Sequence, residues 1–463
     1  MRIEEDCIGK LKIEDNALYG IHSKRAAENF PISKERVHPL IIESLIQIKK
    51  AAAQANYEAG TLTEVKFAAI SDACAELVQG HYENAFIVPA IQGGAGTSSN
   101  MSVNEVIAHF ANRKAKRNIV HPNDDVNQSQ STNDTFPTAG KMAMLKSLPE
   151  LTGALRTLIQ TMLKKAFEFN TVIKVARTQL QDAVPTTLGR SFHAYHSLFK
   201  RDLRRLEYAA ESLKEVNLGG TAIGTGINAS DIYQQEVIPF LKHETDLDLS
   251  LASDLIDATQ NCDVFVEFSG ALKSLAVDLS KVSNDLRLLA SGPQAGFNEL
   301  RLPRKQAGSS IMPGKVNPVI PEVVNQVAFE VVGNDVTVTM AAEAGQLELN
   351  AFEPIMFKRI LESEEHLTQA IKTLCTNCIS EIKANEDKCA ADVEKSVVTA
   401  TILTPYLGYE KTTSLVKRAI AENTSVKKLL KQEGLLDNSK INELFSKESL
   451  IHQHSSEKIG NLA

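Results

Sequence analysis

The chain has few cysteines, no excess of basic charge and no long apolar run. Six cysteines in 463 residues are too few for a disulfide framework. Cys375 and Cys378 form one Cys-x-x-Cys, but a zinc site wants a second ligand pair at suitable spacing. Cys378 falls instead on a helical stripe with Leu367, Ile371, Leu374 and Ile382, which reads as core. A net charge of −7 gives no general positive field for nucleic acid. No stretch reaches the roughly 18 apolar residues of a membrane span. Met1 to Asp6 is acidic and lacks the apolar run of a secretory signal, so a cytoplasmic protein is expected. No internal repeat or low-complexity segment is present.

What remains is an ordinary globular composition, 43% hydrophobic and 23% charged, in a chain long enough for two or three domains. Pro39 opens a helix that should run to about Ala59, with Gly60 as its stop. A second helix follows Thr63, with Phe67, Ile70, Cys74, Leu77 and Val78 on one face. From about 137 to 385 the apolar residues recur at helical spacing over long stretches. One stripe is Leu151, Leu155, Leu158, Met162 and Ala166; another is Phe192, Tyr195, Phe199, Leu203, Leu206, Ala210 and Leu213. The clearest is Phe265, Phe268, Leu272, Leu275, Leu279, Val282, Leu286 and Leu289, a narrow heptad seam. Such helices need partners, so a central long-helix bundle is expected, with leftover apolar faces that favour an oligomer. Beyond about 388 the helices become short and polar, broken by Pro405, Gly408 and Gly434.

The chemistry concentrates in Gly308-Ser309-Ser310-Ile311-Met312-Pro313-Gly314-Lys315-Val316-Asn317-Pro318. Glycine and proline mark a loop, and loops on a scaffold often carry working groups. A P-loop is excluded: five residues separate Gly308 from Gly314 where four are required, and Val316 stands where Ser or Thr would reach Mg²⁺. Three other segments, 93–100, 129–134 and 177–182, set hydroxyl and amide side chains in polar surroundings. Singly, each reads as a loop or helix cap. Together they offer fixed donors suited to an anionic substrate.

The Ser309 loop resembles the signature of the fumarase/aspartase superfamily. Gly93-Gly94-Ala95-Gly96-Thr97, Gln130-Ser131-Thr132-Asn133-Asp134, Arg177-Thr178-Gln179-Leu180-Gln181-Asp182 and Gly220-Thr221-Ala222-Ile223-Gly224-Thr225-Gly226 are similar to further regions of that family. The resemblance covers almost the whole chain. It implies a mainly α, three-domain fold with a central helical bundle: an N-terminal domain at 1–134, the bundle at 135–388 and a small C-terminal domain at 389–463. It implies a homotetramer whose active sites draw segments from three subunits, a small dicarboxylate substrate and no organic cofactor. No metal ligand is assigned; some members are activated by Mg²⁺. By the same resemblance Ser309 is the general base. Thr97, Ser131, Thr132 and Ser310 cradle the β-carboxylate, and Lys315 and Asn317 hold the α-carboxylate. Asn133, Thr178 and Gln179 lie near the α-carboxylate and leaving amine.

Within the superfamily, Thr132, Gln179, Asn325-Gln326-Val327 and the segment from Ala342 to Asn350 resemble aspartases, implying reversible elimination of ammonia from L-aspartate to fumarate. His121-Pro122-Asn123-Asp124-Asp125-Val126-Asn127 and Gly219-Gly220 are closer to class II fumarases, which leaves fumarate hydration as the alternative. A non-catalytic structural relative is the other alternative, against which the retained Ser309, Ser310, Lys315 and Asn317 argue. Ser102, the segment His109 to Ile119, Arg190-Ser191 and Gln294 depart from the family pattern.

Overall fold

The computed structural model describes residues 1–80 and 82–451. An antiparallel hairpin, β1 (Arg2–Asp6) and β2 (Gly9–Ile13), leads to α1 (Ile21–Asn29), α2 (Pro39–Glu58), α3 (Glu64–Gln79) and α4 (Thr97–Ala115). Then come α5 (Thr132–Glu168), the antiparallel hairpin of β3 (Ile173–Thr178) and β4 (Gln181–Thr187), and α6 (Leu188–Glu211). β5 (Glu215–Val216), α7 (Asp231–Thr245), β6 (Ser250–Leu251) and α8 (Leu255–Gln260) precede α9 (Asp263–Leu289). β7 (Leu300–Arg301), α10 (Val319–Glu343), α11 (Glu353–Asn377), β8 (Lys383–Ala384) and α12 (Glu386–Lys395) follow, with short helices beyond. Among the described residues each sheet has only two strands. The helices therefore carry the fold, which is mainly α as the sequence implies.

The chain divides into two compact units. One holds Met1–Gly153, Asp202–Ala276 and Ala328–Thr368; the other holds Ala154–Arg201, Val277–Val327 and the chain from Gln369 onward.

In the first unit α2 packs against α3, α4 and α7. Pro39 sits in its first turn, where a missing N–H costs nothing, and His38 Nδ1 accepts from Leu40 N at 3.2 Å. Gly60 follows its end at φ +70°, the left-handed stop that glycine permits. The start of α1 is closed by a buried carboxylate. Glu105 accepts from the backbone N of Gly20, His22 and Ser23, and from Ser23 Oγ at 2.6 Å. The rings of Phe136 and Phe265 pack on Phe357, with centroids 5.2 and 4.9 Å away. Gly96 lies against this cluster: a Cβ there would stand 2.3 Å from the Phe136 ring, and its φ is +87°.

In the second unit α12 packs on β3. Downstream, Leu403, Leu415, Leu429, Leu430, Ile441 and Leu444 form a core of their own. Phe192 and Phe199 of α6 are fully buried, as are Leu367, Ile371 and Leu374 of α11 in their respective units. Cys375 and Cys378 are buried as well, and burial pushes their thiols up to about 11 and 12. Five of the six cysteines are buried and Cys7 is exposed.

Three expectations need adjustment. Val78 is 37% exposed, because it turns aside from the buried Leu77 in the last turn of α3. Leu203, in the middle of its stripe, and Leu289, at the end of its own, are only half-buried. The long-helix region opens at Thr132, before Pro137. A proline there removes the N–H that would reach the carbonyl of Asn133. That carbonyl accepts instead from Asn217 Nδ2 at 3.0 Å, so the helix continues through the proline.

Candidate active site

Two of the polar segments read from sequence as loops or caps are helix starts in the first unit. Gly94, Ala95 and Gly96 all have positive φ, and this left-handed run delivers Thr97 to the first position of α4. Gln92 Oε1 accepts from Ser99 N at 3.1 Å and Ser99 Oγ at 3.0 Å, closing the first turn from behind. Thr97 is left half-buried beside helix N–H groups that favour an anion.

Ser131, Thr132 and Asn133 open α5. Asp134 Oδ1 accepts from Ser131 N at 2.9 Å. Its Oδ2 accepts from Gly219 N at 3.1 Å and Thr221 N at 3.0 Å, so one carboxylate ties this helix start to the 219–221 turn. Burial raises the Asp134 carboxyl to about 6, against the backbone N–H groups and the charge of Lys49. Asn133 Nδ2 donates to Ala222 O at 2.8 Å.

Behind Thr132 runs an amide network that sequence reading missed. Lys49, fully buried, donates to Asn127 Oδ1 and Gln130 Oε1, both at 2.9 Å. Asn127 Oδ1 also accepts from Asn100 Nδ2 at 3.0 Å and Asn104 Nδ2 at 3.1 Å. Asn100 Nδ2 in turn reaches Thr132 Oγ1 at 3.2 Å. Burial lowers Lys49 to about 7, with the Asp134 charge opposing. The signal was present but ambiguous: a lysine inside the apolar α2 stripe, and asparagines at positions 100, 104 and 127.

The other segments lie in the second unit. Thr178 and Gln179 occupy the tip of the β3–β4 hairpin, where Thr178 pairs with Gln181. Gln179 and Leu180 have φ of +53° and +62°. Positive φ at both central residues is the two-residue turn usually made by Asn-Gly. Non-glycine residues there hold strain of about 1–2 kcal/mol each, and the tip projects Gln179 and an exposed Leu180.

Ser309, Ser310, Lys315 and Asn317 share the loop before α10. Ser309 Oγ accepts from Met312 N at 3.0 Å and Ile311 N at 3.3 Å. Two amide dipoles thus point at the oxygen that would carry charge as a base, favouring its deprotonated form. Gly308 is obligatory, since a Cβ would lie 1.9 Å from Lys315 O. Asn317 Nδ2 donates to Gly308 O at 3.3 Å, and Arg304 Nη2 donates to Gly314 O at 3.1 Å. The loop therefore folds back on itself, with Ser310 and Lys315 exposed. Among the described residues no hydrogen bond joins it to the hairpin tip. Also among the described residues, no group of three or more His, Cys, Asp or Glu side chains is arranged to hold a metal ion.

The family model described as Lyase matches residues 9–333, and one described as Fumarase C C-terminus matches residues 399–452. The chain belongs to the fumarase/aspartase lyase superfamily. It is 49% identical over 458 residues to an aspartate ammonia-lyase of Pseudomonas fluorescens, covering 97% of this chain and 96% of that one. It is 46% identical over 465 residues to an aspartate ammonia-lyase of Helicobacter pylori, covering 99% of each. A fumarate lyase:delta crystallin from Brucella melitensis, solved bound to cobalt, superposes with a TM-score of 0.94 at 47% identity, covering 97% of this chain and 98% of that one. A class II fumarase from Schistosoma mansoni gives the same TM-score at 33% identity, covering 98% and 100%.

Proposed function

We propose that this lyase catalyses the reversible elimination of ammonia from L-aspartate to give fumarate. The observation that carries the chemistry is Ser309 Oγ, set to receive two backbone N–H groups within a loop that also bears Lys315 and Asn317. As an alkoxide, Ser309 takes a proton from C3, beside the β-carboxylate. The electron pair spreads into that carboxylate as an aci-carboxylate, then forms the double bond as the C2–N bond breaks and ammonia leaves.

In this reading Thr97, Ser131, Thr132 and Ser310 hold the β-carboxylate, whose charge grows in the intermediate. Lys315 and Asn317 hold the α-carboxylate, and Asn133, Thr178 and Gln179 lie toward it and the amine. The segments come from different copies in a homotetramer. An unpartnered apolar stripe on α10 supports self-association: Phe329, Val336 and Met340 are 67%, 54% and 67% exposed. Light scattering coupled to size exclusion tests the tetramer. The three consecutive domains implied by resemblance, 1–134, 135–388 and 389–463, are part of the same reading.

The elimination is read as needing no organic cofactor, and Mg²⁺ enters only as an activator, tested by adding it to metal-free enzyme. Six free thiols fit a reducing cytoplasm, which cell fractionation tests. No helix among the described residues is long and apolar enough to cross a membrane.

The deciding experiment follows fumarate at 240 nm from L-aspartate and, separately, from L-malate. Fumarate and ammonia from aspartate, with none from malate, is the expected result. Activity on malate alone would instead make the chain a fumarase, the reading that the likeness to the Schistosoma fumarase keeps in play.

A further inference from the structure

We infer that Glu299 and Arg177 are positioning residues for the Thr178–Gln179 turn: a buried carboxylate sets the affinity for substrate without touching it. The inference rests on the proposed reading that this turn meets the α-carboxylate and amine.

Glu299 is fully buried in the second unit. Arg177 Nη1 donates to its Oε1 at 2.5 Å. Lys174 Nζ lies 2.7 Å from its Oε2, an ion pair without the alignment of a directed hydrogen bond. In a regular strand, residues three apart point to opposite faces. Here the register shifts between Val175 and Arg177, and this bulge lets Lys174 and Arg177 reach one carboxylate. The Phe297 ring covers the guanidinium, whose carbon is 4.3 Å from the ring centroid. Arg177 is thus held by the Glu299 carboxylate and the Phe297 ring one residue before Thr178.

Glu299 is itself immobilised. Its N–H donates to Leu289 O, and its carbonyl accepts from Asn385 N, both at 2.9 Å. The opposite strand is tied as well: Ser396 Oγ donates to Asp182 Oδ2 at 2.8 Å, and Asp182 pairs with Arg177 across the hairpin. The turn needs such anchoring because Gln179 and Leu180 occupy left-handed backbone without glycine. A strained turn on a loose base relaxes; on a clamped base it keeps its geometry.

The test uses the full-length enzyme and L-aspartate kinetics of Arg177→Lys, which keeps the charge but loses the fork and the stack. The expected result is a rise in KM of about tenfold or more, with kcat changed much less and the melting temperature nearly unchanged. Phe297→Leu, which spares the ion pair, should raise KM in the same direction by a smaller factor, and it decides the matter if Arg177→Lys does not fold. A merely structural role would lower the melting temperature and leave the KM of the folded enzyme alone. Gln179→Ala separates the two layers. A normal KM in that variant removes the hairpin from the site and overturns this inference with it. A raised KM there, with normal values in Arg177→Lys and Phe297→Leu, overturns the positioning role alone.

Discussion

Lys49 and Asn127 meet at 2.9 Å, and the same Asn127 oxygen takes the amide of Asn100, whose nitrogen reaches Thr132. A buried ammonium thus sits two side chains away from a candidate substrate hydroxyl. Lys49→Met should leave Gln130 Oε1 without its donor, at about 1 kcal/mol, while Asn127 Oδ1 keeps the amides of Asn100 and Asn104. We expect kcat/KM on L-aspartate to fall about tenfold or more. Burial holds Lys49 near 7, so the parent enzyme should lose activity as pH rises through that value and the ammonium discharges. Rate profiles from pH 6 to 9 check this; an unchanged limb in Lys49→Met would assign it elsewhere.

The base assignment gives the largest expected effect. Ser309→Ala should reduce kcat by about 10²–10⁴, the range for a positioned proton acceptor, while KM moves little. Steady-state turnover with circular dichroism as a folding control measures it, and near-normal turnover would remove Ser309 from the mechanism.

Gly96 stands where two constraints meet, a φ of +87° and the Phe136 ring 2.3 Å from any added Cβ. Gly96→Ala should cost about 2–4 kcal/mol and displace the first turn of α4 with Thr97. Urea denaturation gives the stability, and activity at low temperature, where the variant stays folded, shows the displacement. A variant as stable as the parent would mean that the aromatic cluster yields easily.

Glu353, at the start of α11, is raised by burial to about 8, with the Lys141 charge pulling the other way. The sign follows from proton uptake. Between its ordinary 4.5 and about 8, the folded chain binds a proton that the unfolded chain releases. Its contribution is therefore fully present below 4.5 and lost as pH rises through 8. A shift of this size corresponds to roughly 5 kcal/mol. Glu353→Gln should flatten the dependence, melting higher than the parent at pH 8 but not at pH 5.

The framework was legible where local signals agreed. Pro39 and Gly60 bracket α2 as read, and the Phe265-to-Leu286 seam is buried as read. The Ser309 loop was legible because glycine, proline and hydroxyl residues crowd one short segment. The β3–β4 hairpin was not: its turn is Gln179-Leu180 rather than Asn-Gly, and Pro185 interrupts the strand pattern. α10 falls within the expected long-helix region, but no stripe of its own was read because valines recur through it and blur the helical period. The Lys49 network joins residues 49, 100, 104, 127 and 130, so only the tertiary fold reveals that Lys49, Asn100 and Asn104 share the Asn127 oxygen while Lys49 also reaches Gln130.

The distribution of thiols has a practical side. Five are sealed in the interior and Cys7 stands exposed between β1 and β2, so a maleimide should attach once per native chain without prior removal of the other cysteines. Chains carrying donor and acceptor dyes at that one position, mixed in solution, would show energy transfer only where copies associate, turning a plain surface residue into a reporter of self-association.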